Sequence, residues 1–197
     1  MTICEGIRKA ANGEGHSVCD AEFLIVSGDS ENRVYLAPSD SFWDFLTSFR
    51  TNLVDFPFGH GGRVHAGYLL TALAIWNSRY FDTIREGFPI RFYGHSYGGA
   101  LAGVLSAIAS NLEYTVLELT TLGAPAWAEN GFPWPSVPGE RYVCGWDIVP
   151  LIWAPYLTHD RRSAQILAPC LPGPWNHMLS NYEISLGGKN GSIYSKS

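Results

Sequence analysis

Short β-type runs alternate with longer helical stretches along this chain. Glu22–Ser27 (EFLIVS) and Arg33–Leu36 (RVYL) read as strands on either side of a turn-rich Gly28-Asp29-Ser30-Glu31-Asn32. The first twenty residues read as a helical or irregular lead-in. Ser39–Arg50 predicts a helix, with Ser39 or Ser41 as cap and Phe42, Phe45, Leu46 and Phe49 on one stripe. Asp55–Arg63 reads as a loop and Val64–Glu86 as one long helix, with Tyr68, Leu69, Ala72, Ile75 and Trp76 turned inward. Ile90–Tyr93 is a strand and Tyr97–Leu112 a helix. Thr115–Thr121 is a buried-type strand closed by Gly123-Ala124-Pro125. After the Pro- and Gly-rich loop Ala128–Gly139 come a strand at Arg141–Gly145, an edge strand at Ser163–Leu167 and a short helix at Asn176–Ser185. Strands alternating with helices imply a mostly parallel α/β sheet with helices on both faces. No repeat, linker or low-complexity tract interrupts it, so residues 1–197 are expected to form a single domain.

Composition supports a packed core. Hydrophobic residues make up 46% of the 197 residues and charged residues 16%. A net charge of −5, with basic residues adjacent only at Arg8-Lys9 and Arg161-Arg162, argues against a nucleic-acid partner. Cys4, Cys19, Cys144 and Cys170 have no C-x-x-C spacing, so neither a zinc site nor a redox motif is expected. No secretory signal or membrane-spanning run is visible, which predicts a cytoplasmic location.

Residues 89–100, PIRFYGHSYGGA, carry the most specific chemistry. Gly94-His95-Ser96-Tyr97-Gly98 is a G-x-S-x-G pattern between a strand and a helix, the setting of a nucleophile elbow. The serine sits at the point of a sharp turn, and glycines two residues away on either side remove Cβ atoms that would clash. Behind the turn, Gly99, Ala100, Ala102 and Gly103 leave a thin helix face that can press on a sheet.

A serine hydroxyl needs a base and a carboxylate to orient that base. In the order Ser…Asp/Glu…His, the aspartates after Ser96 are Asp147 and Asp160, and the histidines are His159 and His177. Asp147 follows a predicted strand, where catalytic groups of parallel sheets gather. Asp160 lies in a polar turn. His177 opens the last helix, whereas His159 adjoins Asp160-Arg161-Arg162 and is expected to make local polar contacts. The ring of His95 is expected to point away from Ser96, and His65 to be structural. One oxyanion donor is the N–H of Tyr97; the Ser27-Gly28-Asp29 turn is the candidate for the second.

These residues, in this order, resemble the class 3 lipase family of fungal-type triacylglycerol lipases. The likeness runs from about Ala21 to Leu186, through Val64-His65-Ala66-Gly67-Tyr68, the elbow, Thr121-Leu122-Gly123-Ala124-Pro125 and Asp147-Ile148-Val149-Pro150, to His177 with Tyr182. It implies an α/β-hydrolase fold and a serine carboxylester hydrolase acting on acyl esters such as acylglycerols. It carries over Ser96, Asp147 and His177 as the triad, with Tyr97 and Asp29 at the oxyanion positions, and implies neither metal nor organic cofactor. The family places a lid helix where Ser41–Arg50 stands. Phe42, Trp43 and Leu46 are then expected to meet substrate and to touch a lipid interface transiently, although the same stripe also reads as a core-packing face. Asp29 departs from the family pattern, because a carboxylate there opposes an oxyanion. It motivates an alternative, a non-catalytic lipid- or partner-binding module on a hydrolase scaffold. The thirty residues from Asp147 to His177 are few for the family and imply a small acyl- or alcohol-binding region.

Overall fold

The computed structural model describes residues 1–38, 52–59, 61–84, 87–152, 157–159, 164–167 and 177–187. Helix α1 (Ile3–Ala11) opens with a capping box. The Glu5 N–H donates to Thr2 Oγ1 at 3.1 Å, and the Thr2 N–H donates to Glu5 Oε2 at 3.3 Å. Strands β1 (His16–Val18), β2 (Ala21–Ser27) and β3 (Asn32–Leu36) follow. The β1–β2 turn places Cys19 and Asp20 at φ 50° and 60°, the twist a two-residue hairpin requires. Next come β4 (Leu53–Asp55), β5 (Arg63–His65), α2 (Ala66–Trp76), β6 (Ile90–His95), α3 (Tyr97–Asn111), β7 (Val116–Leu122), β8 (Arg141–Cys144), β9 (Ala164–Leu167) and α4 (Leu179–Gly187).

Seven strands form one sheet in the order β1-β2-β3-β6-β7-β8-β9. The β1–β2 and β2–β3 pairs are antiparallel, and every pair from β3 to β9 is parallel. Strand alternation sorts the core into two clusters. Phe23, Val34, Leu36, Ile90, Phe92 and Leu119 face α2 and α3. Tyr35, Tyr93, Leu122 and Cys144 face the other way, against Ile3, Cys4 and Ile7 of α1 and Tyr182 and Leu186 of α4. This is the parallel sheet with helices on both faces that the sequence predicts. Among the described residues, no helix is long and apolar enough to cross a membrane.

Helix α3 is buried along nearly its whole length, so its small residues are packing surfaces. A Cβ on Gly103 would lie 2.5 Å from Trp127 Nε1, and one on Gly99 would lie 2.7 Å from the Ala124 Cβ. The Trp127 indole is itself boxed in by Phe132 and Trp134, with ring centroids 5.6 and 4.4 Å away.

Two sequence expectations change. The Asp55–Arg63 loop joins the antiparallel hairpin β4–β5, and Val64 and His65 belong to that hairpin and not to a helix. The long helix read from Val64 to Glu86 is cut to Ala66–Trp76, with a short 3₁₀ turn at Phe81–Thr83 beyond it. Side chains end it: Asn77 Nδ2 donates to the Leu73 carbonyl at 2.9 Å and Ser78 Oγ to that of Ile75 at 2.7 Å. The helix expected at Ser39–Arg50, with Phe42, Trp43 and Leu46, lies outside the described residues, as do Asp160 and Cys170.

At the N-terminal end of the parallel strands, Arg91 bridges two acids. Its Nε lies 2.7 Å from Glu31 and its Nη1 2.6 Å from Glu118. Glu118 also accepts the Tyr93 hydroxyl at 3.0 Å. Arg33 also pairs with Glu31, so the two positive and two negative charges balance in a cluster at the end of the sheet opposite Ser96.

Two histidines are buried in the fold, His65 at 0% and His95 at 3% exposure. Burial pushes His65 down to about 4 and is the main cause holding His95 at about 3. Both rings therefore fold neutral, whereas the unfolded chain takes up their protons near pH 6.5. Their contribution to stability is complete above about pH 6.5 and is lost as pH falls toward 4. Urea unfolding at pH 7.5 and pH 4.5 should show a loss on the order of 2 kcal/mol per ring. His65→Phe should remove roughly half of that slope.

Candidate active site

Strand β6 ends at His95 and α3 begins at Tyr97, so Ser96 takes the whole turn. Its backbone stands at φ 55°, ψ −126°, a conformation that costs on the order of 1–3 kcal/mol in a non-glycine residue. The surroundings hold it there. The Ser96 N–H donates to the Leu122 carbonyl at 2.9 Å, and the Ser96 carbonyl accepts the Gly99 N–H at 2.9 Å. A Cβ on Gly94 would sit 2.2 Å from the Gly98 oxygen, and one on Gly98 would sit 2.4 Å from the Leu36 oxygen. The two glycines of the pattern are thus required by main-chain contact.

The structure brings Ser96, His177 and Asp147 together. Ser96 Oγ lies 2.6 Å from His177 Nε2. His177 Nδ1 lies 3.0 Å from Asp147 Oδ1 and 2.9 Å from Oδ2. A carboxylate only accepts, so Nδ1 carries the imidazole proton and Nε2 is left to accept from the serine. The arrangement can move a proton from Ser96 to His177 while Asp147 balances the charge that forms.

Asp147 is held as firmly as the serine. Its N–H donates to the Cys144 carbonyl at 2.8 Å, tying it to the end of β8. Its side chain has no solvent exposure. Besides His177, Oδ1 accepts the Val149 N–H at 2.9 Å, and Oδ2 accepts the Tyr182 hydroxyl. Tyr182 in turn accepts the Cys144 N–H at 3.1 Å. Burial and then the neighbouring carboxylate push the Tyr182 phenol far above its usual range, so it remains a donor to Asp147. Gly123 closes this corner at φ 58°: a Cβ there would lie 2.6 Å from both Asp147 Oδ2 and Tyr182 Oη. The family resemblance runs through both Gly123 and Tyr182, but the sequence assigns neither a role at the site. That role becomes readable once α4 is known to pack on β8.

The other candidates fall elsewhere. His159 Nε2 lies 2.9 Å from the Pro150 carbonyl, a local contact as expected. His65 ends β5 with its ring buried against Tyr68. Tyr97 is the first residue of α3, which puts its N–H beside Ser96, and its hydroxyl donates to Thr71 at 3.0 Å.

Asp29 requires a correction. The Gly28-Asp29 turn precedes β3, and β3 runs parallel to β6 with Asn32 opposite Ile90 and Leu36 opposite Gly94. Asp29 therefore lies at the N-terminal end of these strands, about 20 Å from Ser96 along the strand direction. It is exposed, and the neighbouring Gly28 N–H donates to the Glu31 carbonyl at 2.8 Å. The chain that reaches the elbow is the one leaving β3, whose Leu36 and Ala37 oxygens border Gly98. The antiparallel β2–β3 pair reverses the direction of the sheet, which a turn-based reading of the sequence misses. With Asp29 removed, no carboxylate from that turn opposes an oxyanion. Among the described residues, no group of three or more His, Cys, Asp or Glu could hold a metal ion.

A mostly parallel sheet with a serine at a strand–helix elbow, a histidine and an aspartate beyond later strands defines an α/β-hydrolase fold. The class 3 lipase family model matches residues 34–156, more than half of the chain, and the protein belongs to that family. The match begins within β3, whose exit borders the elbow at Gly98. The lipases of Rhizopus niveus and Rhizopus oryzae are each 29% identical over 147 residues, covering 66% of this chain and 37% of theirs. The chain thus spans little more than a third of these curated relatives. The Rhizomucor miehei lipase in its propeptide complex superimposes with a TM-score of 0.66 at 20% identity, over 84% of this chain and 66% of that one. A triacylglycerol lipase described by its serine-protease triad gives 0.62 at 22% identity, over 77% and 63%. These structural likenesses establish the fold.

Two substitutions probe the support of Asp147. Tyr182→Phe removes one donor to the carboxylate and should lower kcat about tenfold, costing roughly 1–2 kcal/mol in urea unfolding. Gly123→Ala adds a methyl group against the same atoms, and steady-state kinetics should show a deeper loss of kcat, about 100-fold.

Proposed function

We propose that this protein is a serine carboxylester hydrolase that cleaves acyl esters of lipids, acylglycerols among them, through an acyl-enzyme. The observation that carries the reading is the 2.6 Å approach of Ser96 Oγ to His177 Nε2, with His177 Nδ1 on Asp147. Ser96 Oγ attacks the ester carbonyl carbon as its proton passes to His177. The resulting oxyanion is met by the N–H of Tyr97, and the positive end of α3 favours its charge. Collapse of the tetrahedral intermediate expels the alcohol, which takes the proton from His177. Water then adds to the acyl-serine by the same route, releasing the carboxylic acid and restoring Ser96.

The lipid character of the substrate rests on family membership and on the surface beside the triad. Trp146 and Ile148 flank Asp147, Met178 follows His177, and Leu151 lies four residues beyond Asp147. Their exposures are 67%, 50%, 51% and 68%. Large apolar side chains left in water next to a reactive site suit apolar acyl chains or an aggregate of them.

A chain-length series of aryl esters, run on wild type and Ser96→Ala, tests the reading. Wild type should hydrolyse the esters and react covalently with a fluorophosphonate at Ser96. Ser96→Ala should lose at least about 10⁴-fold in kcat and all labelling. Undiminished hydrolysis by a folded Ser96→Ala protein counts against the assignment.

A further inference from the structure

His95 precedes Ser96 in the elbow, and neither the triad nor the oxyanion donors use it. By strand alternation it shares a face with Arg91 and Tyr93, so its ring lies on the α1–α4 side of the sheet, away from the Ser96 hydroxyl. It is 3% exposed. Its Nε2 lies 2.7 Å from the main-chain oxygen of His177. Its ring lies against the His177 ring, with centroids 5.0 Å apart and planes at 29°, and meets the edge of Tyr182 at 5.6 Å.

The carbonyl partner sets the tautomer. A carbonyl oxygen only accepts, so Nε2 carries the proton and Nδ1 keeps a bare lone pair. Nδ1 is buried with no hydrogen-bond partner among the described residues. A second proton there would create a buried cation facing His177, and burial followed by the charge of His177 drives the ring down to about 3. His95 thus stays neutral while the ring stacked on it takes up and returns a proton. It presents no like charge to the imidazolium.

The geometry also has a missing constraint that His95 supplies. Asp147 and Ser96 bond to the two ring nitrogens of His177, which aims the ring but does not by itself place its main chain. The His95 bond ties that main chain to the end of β6, one residue from the nucleophile. We propose that His95 is a positioning residue: as a neutral Nε2–H donor to the His177 carbonyl, it holds the His177 imidazole within bonding distance of Ser96 Oγ. This rests on the reading of Ser96 as nucleophile and His177 as base.

Two variants separate shape from hydrogen bonding. His95→Phe keeps a ring and loses the donor, while His95→Gln loses the ring and keeps a donor at similar reach. Each is compared with wild type and Ser96→Ala for thermal unfolding, for kcat and KM on a soluble short-chain aryl ester, and for the far-downfield proton resonance of the His177 Nδ1–H shared with Asp147. Folded His95→Phe should lose about 10- to 100-fold in kcat with KM within about twofold, and its downfield resonance should broaden or vanish. His95→Gln should recover most of both. A folded His95→Phe with wild-type kcat and an unchanged resonance overturns the proposal, as does a His95→Gln no better than His95→Phe. If His95→Phe does not fold, His95→Gln carries the test, and a loss as deep as that of Ser96→Ala overturns it. Wild type no more active than Ser96→Ala defeats the hydrolase reading instead, and the resonance then still decides whether His95 positions His177.

Discussion

At the end of β6 three stretches of main chain crowd together. Gly98 passes so close to the Leu36 and Ala37 carbonyls, and Gly94 so close to the Gly98 carbonyl, that no methyl group fits at either position. This crowding forces the chain to reverse within one residue, and Ser96 absorbs the reversal at φ 55°. The strain persists because β6 is held on both sides, by β3 and by β7, and α3 is buried behind it. The hydroxyl is thereby presented at the one end of the sheet where the parallel strands all deliver their loops. A looser turn would relieve the strain and withdraw the serine.

A second requirement follows from burial. Asp147 has no solvent exposure, and a carboxylate in that position is tolerable only when its oxygens are bonded. Val149, Tyr182 and His177 all donate to it, from the loop after β8, from α4 and from the position two residues ahead of α4. The same helix thus carries a clamp on the acid and follows the base. His95 adds a tie from β6. The acid, base and nucleophile are linked through main-chain and side-chain bonds on three elements, so their spacing depends on how those elements pack and not on any one loop. The opposite end of the sheet uses charge differently: Arg33 and Arg91 pair with Glu31 and Glu118, so the two positive and two negative charges there balance.

Much of this was legible in the chain. The strand alternation of β2, β3, β6 and β7, the elbow glycines and the order Ser96, Asp147, His177 are local or ordinal signals, and the structure brings those three residues together. The hairpin β4–β5 escaped because its strands are three residues long, too short to show a period of two. The hydrophobic pattern extends helix α2 too far because apolar residues continue past Trp76, while the Asn77 and Ser78 side chains that stop it act through hydrogen bonds that composition does not reveal.

The sequence by itself determined which residues can do the chemistry: a serine between two glycines at a strand–helix junction, and the acid and histidine that follow strands and loops downstream of it. Only the tertiary structure decided who supports them. Tyr182, Gly123 and His95 meet the triad through contacts between residues 24 to 82 positions apart in the chain, from Gly123 against Asp147 to His95 on the carbonyl of His177. The same is true of Asp29. Its place depends on which end of β3 lies beside Ser96, and strand direction within a sheet is set by pairing between distant segments, which no local pattern of residues encodes.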